Sequence, residues 1–304
     1  MGWAHRDPQP TILAHDRGRL PLRSRPSRPK APAAHPEGGA QRLLRGNRQF
    51  ARLLDPRGPR LPRVIPLDPS AVGYGAERGV APLQQPFAAV LGCSDARAPV
   101  EMIFQQRSND LFVVRVAGNG VGSSSLGSLR YAAAHFSRSL RLVVVLGHSQ
   151  CGAVTAAVGA FLRPRSYLPL ATNYPLRSIV DAILVAVRSA SLGLETAHGP
   201  RVADQPGYRA ALVETSVALN ACLAAYALKQ ELDGPKVQVL FGSYDLASRS
   251  VRLPLAPAGR SARPEIGLFP PPDGADELRD LALRLARSAS IAALLRTGGG
   301  AHPH

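Results

Sequence analysis

From residue 86 onward the apolar positions fall into four short β-branched runs, at 87–91, 111–116, 142–146 and 237–241. The runs are predominantly apolar rather than alternating, with only Arg115 and Gln238 interrupting them, the pattern of strands buried on both faces. Helix-like stretches separate them, notably 125–136 and 152–162. Buried strands alternating with helices predict an α/β fold, a mostly parallel β-sheet flanked by helices. A glycine follows every run within a residue or two (Gly92, Gly118, Gly147, Gly242). These turns place sharp bends at the carboxyl edge of the sheet, where open α/β folds hold their ligands. Further helices are expected from residue 40, with Leu43, Leu44, Phe50, Leu53 and Leu54 on its apolar side, and at 179–190, 208–232 and 276–296. The last of these has Asp273 as its cap.

The remaining chain is organised around this core. Residues 1–39 are rich in Pro, Arg, Gly and His and read as a disordered arm. Residues 40–297 read as one α/β domain, with a loop-like stretch at 55–86 and an excursion at 163–205, and residues 298–304 as a flexible tail. No internal repeat is evident, and no run approaches the roughly 18 apolar residues of a membrane span. The net charge of +16 raises the question of nucleic acid. Its distribution points away from that partner: arginines are scattered, the only lysines are Lys30, Lys229 and Lys236, and no aromatic residues interleave with the basic ones. Three cysteines are too few for a disulfide framework and suit a reducing compartment. The start of the chain has no secretory apolar segment, so a cytoplasmic location is expected.

Two of the glycine-terminated strands deliver metal-binding residue types. After the first come Cys93, Asp95 and Arg97; after the third come His148 and Cys151. Residues two apart on extended chain face one way, and residues three apart at a helix start share a face. If the two strands are neighbours, Cys93, Asp95, His148 and Cys151 converge on one point. Two thiolates, an imidazole and a carboxylate form a zinc-type set. Asp95 also has a second partner within reach, because Arg97 can take its carboxylate in a charge-assisted pair. The site therefore has two expected states: Asp95 on zinc, closed, and Asp95 on Arg97, open. Zinc with two thiolates and a neutral imidazole carries less net charge than a three-histidine site, so activity is expected to rise on the alkaline side of neutrality.

At these residues the sequence resembles the β-carbonic anhydrases. The resemblance runs through Gln84-Gln85-Pro86-Phe87, Cys93-Ser94-Asp95-Ala96-Arg97, the stretch from Asp110 to Asn119, Leu126 to Ala132, and Val145 to Val154. Weaker likeness extends over Leu43 to Phe50 and Gly242 to Leu246. It implies zinc-dependent, reversible hydration of CO2 to bicarbonate and a proton by a zinc-bound hydroxide. Cys93, His148 and Cys151 would be permanent Zn2+ ligands, with Asp95 and Arg97 as the catalytic, gating dyad. Gln84, Phe112, Tyr131 and Gly152 would be substrate-binding positions, and a homodimer or higher homo-oligomer would form with the pocket at the subunit boundary. Three positions depart from the family pattern: Ala96 replaces a common serine, Arg130 stands where an acidic residue is frequent, and the turn at 247–250 lacks its usual glycine.

Other readings stand beside this one. The same scaffold would serve a hydrolase of carbonyl sulfide or carbon disulfide, or a non-catalytic zinc-stabilised scaffold with a basic arm. Phe112 and Tyr131 also suit plain core aromatics. Cys222, among Leu219, Leu223 and Tyr226, reads as core rather than ligand. His135 reads as structural or solvated, with a proton-shuttle role as the sharper alternative.

Overall fold

The structure is a computed structural model that describes residues 36–53, 55, 80–232, 237–255 and 265–297. Most of the arm (1–35), residues 56–79 of the loop-like stretch and the tail (298–304) lie outside the described residues. Helix α1 spans Pro36–Leu53, so the folded chain starts before the expected boundary at residue 40. There follow β1 (Ala88–Gly92), α2 (Val100–Ile103), β2 (Leu111–Arg115), α3 (Ser123–His135), β3 (Leu142–His148) and α4 (Gly152–Leu162). The excursion holds a short α5 (Leu168–Ala171) and a long α6 (Tyr174–His198). Next come α7 (Tyr208–Glu231), β4 (Gln238–Tyr244), β5 (Val251–Leu253), β6 (Glu265–Ile266), α8 (Ala275–Ala286) and α9 (Ala289–Thr297).

The six strands lie in the order β2-β1-β3-β4-β5-β6. The first four in chain order are mutually parallel, and β5 and β6 continue the sheet antiparallel, leaving β2 and β6 at its edges. Alternate residues of the central strands feed two cores. Ala89, Leu91, Val143, Val145 and Phe241 face α4, α6 and α7, whereas Ala88, Val90, Leu142, Val144 and Leu240 face α1 and α2. Burial on both faces is why these strands are predominantly apolar.

Several elements differ from expectation. The 276–296 helix is two helices, α8 and α9, broken where the Ser288 hydroxyl accepts from the Ile291 N–H (3.3 Å). Gly274, not Asp273, holds the cap position of α8, and the Asp273 carboxylate pairs with Lys229 instead. The turn at 247–250 does without glycine because Arg249 takes the left-handed conformation (φ 61°). Helix α7 is long and apolar enough to cross a membrane by length and composition. It is a core helix, with 78% of its most apolar window buried against the sheet and neighbouring helices. Close approach of α7 to β3 requires Gly147, where a Cβ would meet Ala221 Cβ at 3.2 Å and the Val217 carbonyl at 3.3 Å.

Candidate metal centre

The ladder between β1 and β3 sets the site. Gly92 lies opposite Leu146, so Cys93, one residue on, comes level with the end of β3 and His148. The chain then turns through Ser149 and Gln150 to Cys151, which occupies the cap position of α4. Cys93, His148 and Cys151 are all buried, and their ligand atoms lie within 4.8 Å of one another. The two sulfurs are 4.0 Å apart.

The donor set fits a thiophilic divalent cation on three grounds. First, His148 Nδ1 lies 3.0 Å from the Ser149 carbonyl, a bond in which the ring nitrogen must donate its proton. That tautomer leaves the Nε2 lone pair facing the sulfurs, and Nε2 is a buried polar atom with no hydrogen-bond partner. Second, the thiols are unequal: a hydrogen bond from Cys151 pulls Cys93 well below the usual thiol range, and that same bond, with burial, holds Cys151 well above it. The pair loses one proton readily and keeps the second unless a cation offsets the added charge. Third, burial pulls the His148 imidazole down, but contact with Cys93 outweighs it and the net shift is upward. A negative sulfur centre beside a free imidazole nitrogen is a zinc-type donor set.

Asp95 stands beside the cluster rather than in it. Its carboxylate pairs with Arg97 in a bidentate fork, Oδ1 to Nε at 3.0 Å and Oδ2 to an Nη at 2.7 Å, and Oδ1 also accepts the Arg97 backbone N–H at 2.8 Å. Hydrogen bonding from Arg97 lowers the Asp95 pKa to about 2. Oδ2 lies 3.9 Å from His148 Nε2. Of the two expected partners of Asp95, Arg97 is the one it pairs with in the structure.

The other expected site residues divide. Gly152 opens α4 next to Cys151, with open space where a Cβ would stand. Gln84 is exposed at the amino edge of the sheet, where the Gln85 N–H and the Leu83 carbonyl are both tied to the Asn109 side chain (3.0 and 2.7 Å). The length of β1, about 16 Å at the usual rise per residue, separates that edge from the cluster. Phe112 lies opposite Ala89, low on β2, and its ring centroid is 6.0 Å from that of Phe136. Tyr131 is exposed, stacked on His135 at 3.9 Å. Within one chain these three residues do not meet the cluster.

Three residues given no role from the sequence hold the site's backbone. Arg115, at the end of β2, donates to the carbonyls of Cys93 (3.0 Å) and Asp95 (2.5 Å), clamping the first metal loop. Asn220 on α7 donates to the Gly118 carbonyl (2.8 Å), steadying the loop that packs against Cys93. Glu214 on α7 accepts the Gln150 N–H (3.0 Å). A charged residue ending an apolar strand was a readable signal for Arg115; the two α7 residues carried none. Beside Ser94 a mainly apolar cleft of about 710 Å³ opens between the loops after β2 and helices α6 and α7, lined by Val121, Ile179, Ile183 and Leu223 among others.

Comparison with known proteins agrees with this geometry. The family model described as carbonic anhydrase matches residues 88–251, more than half of the 304-residue chain. Carbonic anhydrase 2 of Mycobacterium tuberculosis is 48% identical over 82 residues, covering 27% of this chain and 39% of that protein. A carbonic anhydrase of Mycolicibacterium smegmatis is 42% identical over 95 residues, 31% of this chain and 45% of that one. The matched segment thus spans less than half the length of either relative. The solved β-carbonic anhydrase CafA of Aspergillus fumigatus aligns over 67% of this chain and 85% of its own, at 22% identity and a TM-score of 0.41. On the family match, which takes in the strands and loops that carry the cluster, the chain belongs to the β-carbonic anhydrase family.

Proposed function

We infer that the protein is a zinc enzyme hydrating CO2 reversibly to bicarbonate and a proton. The observation that carries this reading is the buried Cys93–His148–Cys151 cluster, with an unpartnered imidazole nitrogen facing two thiols, beside a carboxylate that Arg97 holds aside. Zinc held by those three residues would supply Lewis acidity, making water a nucleophile near neutral pH.

The chain's own residues do the rest. Arg97 keeps Asp95 ionised and turned from the cluster. An ionised carboxylate only accepts hydrogen bonds, so Asp95 favours a nucleophile that points an O–H toward it and away from the substrate carbon. Arg115 fixes the loop that carries both Cys93 and Asp95, so the distance between ligand and acceptor is preset. The apolar cleft beside Ser94 suits a small apolar gas better than a charged substrate. Gln84, Phe112 and Tyr131 stand away from their own chain's cluster, and a second copy of the chain would be needed to bring such groups to it. A homodimer is therefore part of the proposal, as is a reducing, cytoplasmic setting that keeps the thiols free.

The test is zinc content and stopped-flow CO2 hydration of the full-length protein between pH 6 and 9, with Cys151→Ser alongside. One zinc per chain and a rate that climbs with pH are expected, with both metal and activity lost in the variant. A metal-free or inactive wild type would overturn the reading.

A further inference from the structure

The turn that joins His148 to Cys151 has only two internal residues, and both are fixed from outside it. Ser149 is held by β4 and the segment after it: its N–H donates to the Tyr244 carbonyl (2.9 Å), and its hydroxyl accepts the Leu246 N–H (2.9 Å). Gln150 is held from α7, where a Glu214 carboxylate oxygen accepts its N–H (3.0 Å). Gln150 needs holding, because it sits in the left-handed region (φ 56°), which an L residue keeps only under constraint. That conformation aims its N–H at α7 and turns the chain so that Cys151 returns toward His148. Behind the turn lies a cavity of about 420 Å³, lined in part by Glu214, Asp245, Arg252 and Ser290. The Glu214 carboxylate borders this space and braces the turn at Gln150.

We propose that Glu214 is a positioning residue for the metal cluster, its carboxylate holding the Gln150 amide and hence the spacing of His148 and Cys151. This role rests on the zinc reading above. Glu214 touches neither metal nor substrate; it acts through one backbone amide, as the hydrogen-bonded partners behind metal ligands commonly do.

The test is zinc retention by the full-length holoprotein against a graded chromogenic chelator, for wild type, Glu214→Ala, Glu214→Gln and Glu214→Asp. The visible spectrum of the cobalt-substituted forms serves as a second readout of ligand geometry. Losing a partner of this kind lowers metal affinity roughly 10–100-fold, and Glu214→Ala is expected to fall in that range with an altered cobalt spectrum. Glu214→Gln keeps an acceptor oxygen at the same reach and is expected to stay within about threefold of wild type. Glu214→Asp keeps the charge but withdraws it by a methylene. It is expected to behave as the alanine variant does, and it decides the matter if Glu214→Ala fails to fold. Equal zinc retention in wild type and the alanine or aspartate variant overturns the proposal, as does a glutamine variant as weak as alanine. A wild type that holds no zinc would instead remove the metal reading itself.

Discussion

Replacing Gly118 by alanine tests whether the loop against Cys93 is set by backbone geometry. Gly118 has φ 63°, and a Cβ there would stand 2.8 Å from Ile183 Cδ1 and 3.1 Å from Ala153 Cβ. The left-handed conformation costs a non-glycine residue about 1–2 kcal/mol. The Ile183 methyl ends a flexible side chain and can swing aside, but Ala153 Cβ is fixed to α4, so some overpacking of roughly 1–3 kcal/mol remains. The sum is a loss of about 2–5 kcal/mol. At a urea m-value near 3 kcal/mol/M, that lowers the unfolding midpoint by roughly 0.7–1.7 M. Gly127 is the control: it is exposed within α3, with nothing within 4 Å of a Cβ. Alanine there relieves the helical penalty of glycine and is expected to raise stability by about 0.5–1 kcal/mol. The assay is equilibrium urea unfolding followed by circular dichroism at fixed protein concentration and metal loading. Opposite signs are required. A Gly118→Ala protein within about 0.5 kcal/mol of wild type, against the ~2 kcal/mol minimum, would refute the reasoning.

Two further outcomes follow from buried titratable groups. Arg97 depresses Asp95 to about 2; Asp245 is also lowered, burial alone raising it but the Ser248 N–H and Arg252 outweighing that. A depressed folded pKa gives stability that is present above the unfolded value near 4 and lost as pH falls through the folded value. Stability should therefore decline from about pH 4 toward pH 2, less steeply in Asp245→Asn, as urea titrations across that range will read; an unchanged slope in the variant would count against Asp245. Burial pushes the Cys222 thiol up to about 12, which keeps it protonated and inert. Cys222→Ser is expected to cost about 1–3 kcal/mol for the buried hydroxyl while zinc content stays at the wild-type value; loss of zinc would show Cys222 to be part of the site.

The four parallel strands were legible because each carries a short, mainly apolar run, buried on both faces in β1 and β3. The antiparallel strands were not: β5 has three residues with Arg252 in the middle, and β6 has two, both exposed. Helix α6 outruns its apolar stretch because its first turns carry exposed Tyr174 and Leu176, which a search for a buried face passes over. The break between α8 and α9 needs neither glycine nor proline; a serine hydroxyl makes it. At the site, Cys93, His148 and Cys151 could be read because they stand at the ends of two neighbouring strands, β1 and β3, and ladder register converts sequence position into spatial position. Glu214 and Asn220 reach the same place from the middle of a helix, by packing alone. Nothing local in the sequence marks such a contribution.

Helix α7 carries one more consequence. Its surface is covered by β3, β4, α6 and α9, elements made both before and after it. A growing chain therefore holds a span-like apolar helix half covered until β4 and α9 emerge and dock. Half-covered apolar surface is what chaperones and aggregates both bind. Helix α9, which lines the cavity behind the His148–Cys151 turn, closes the core around the helix whose Glu214 and Asn220 steady the Gln150 turn and the Gly118 loop.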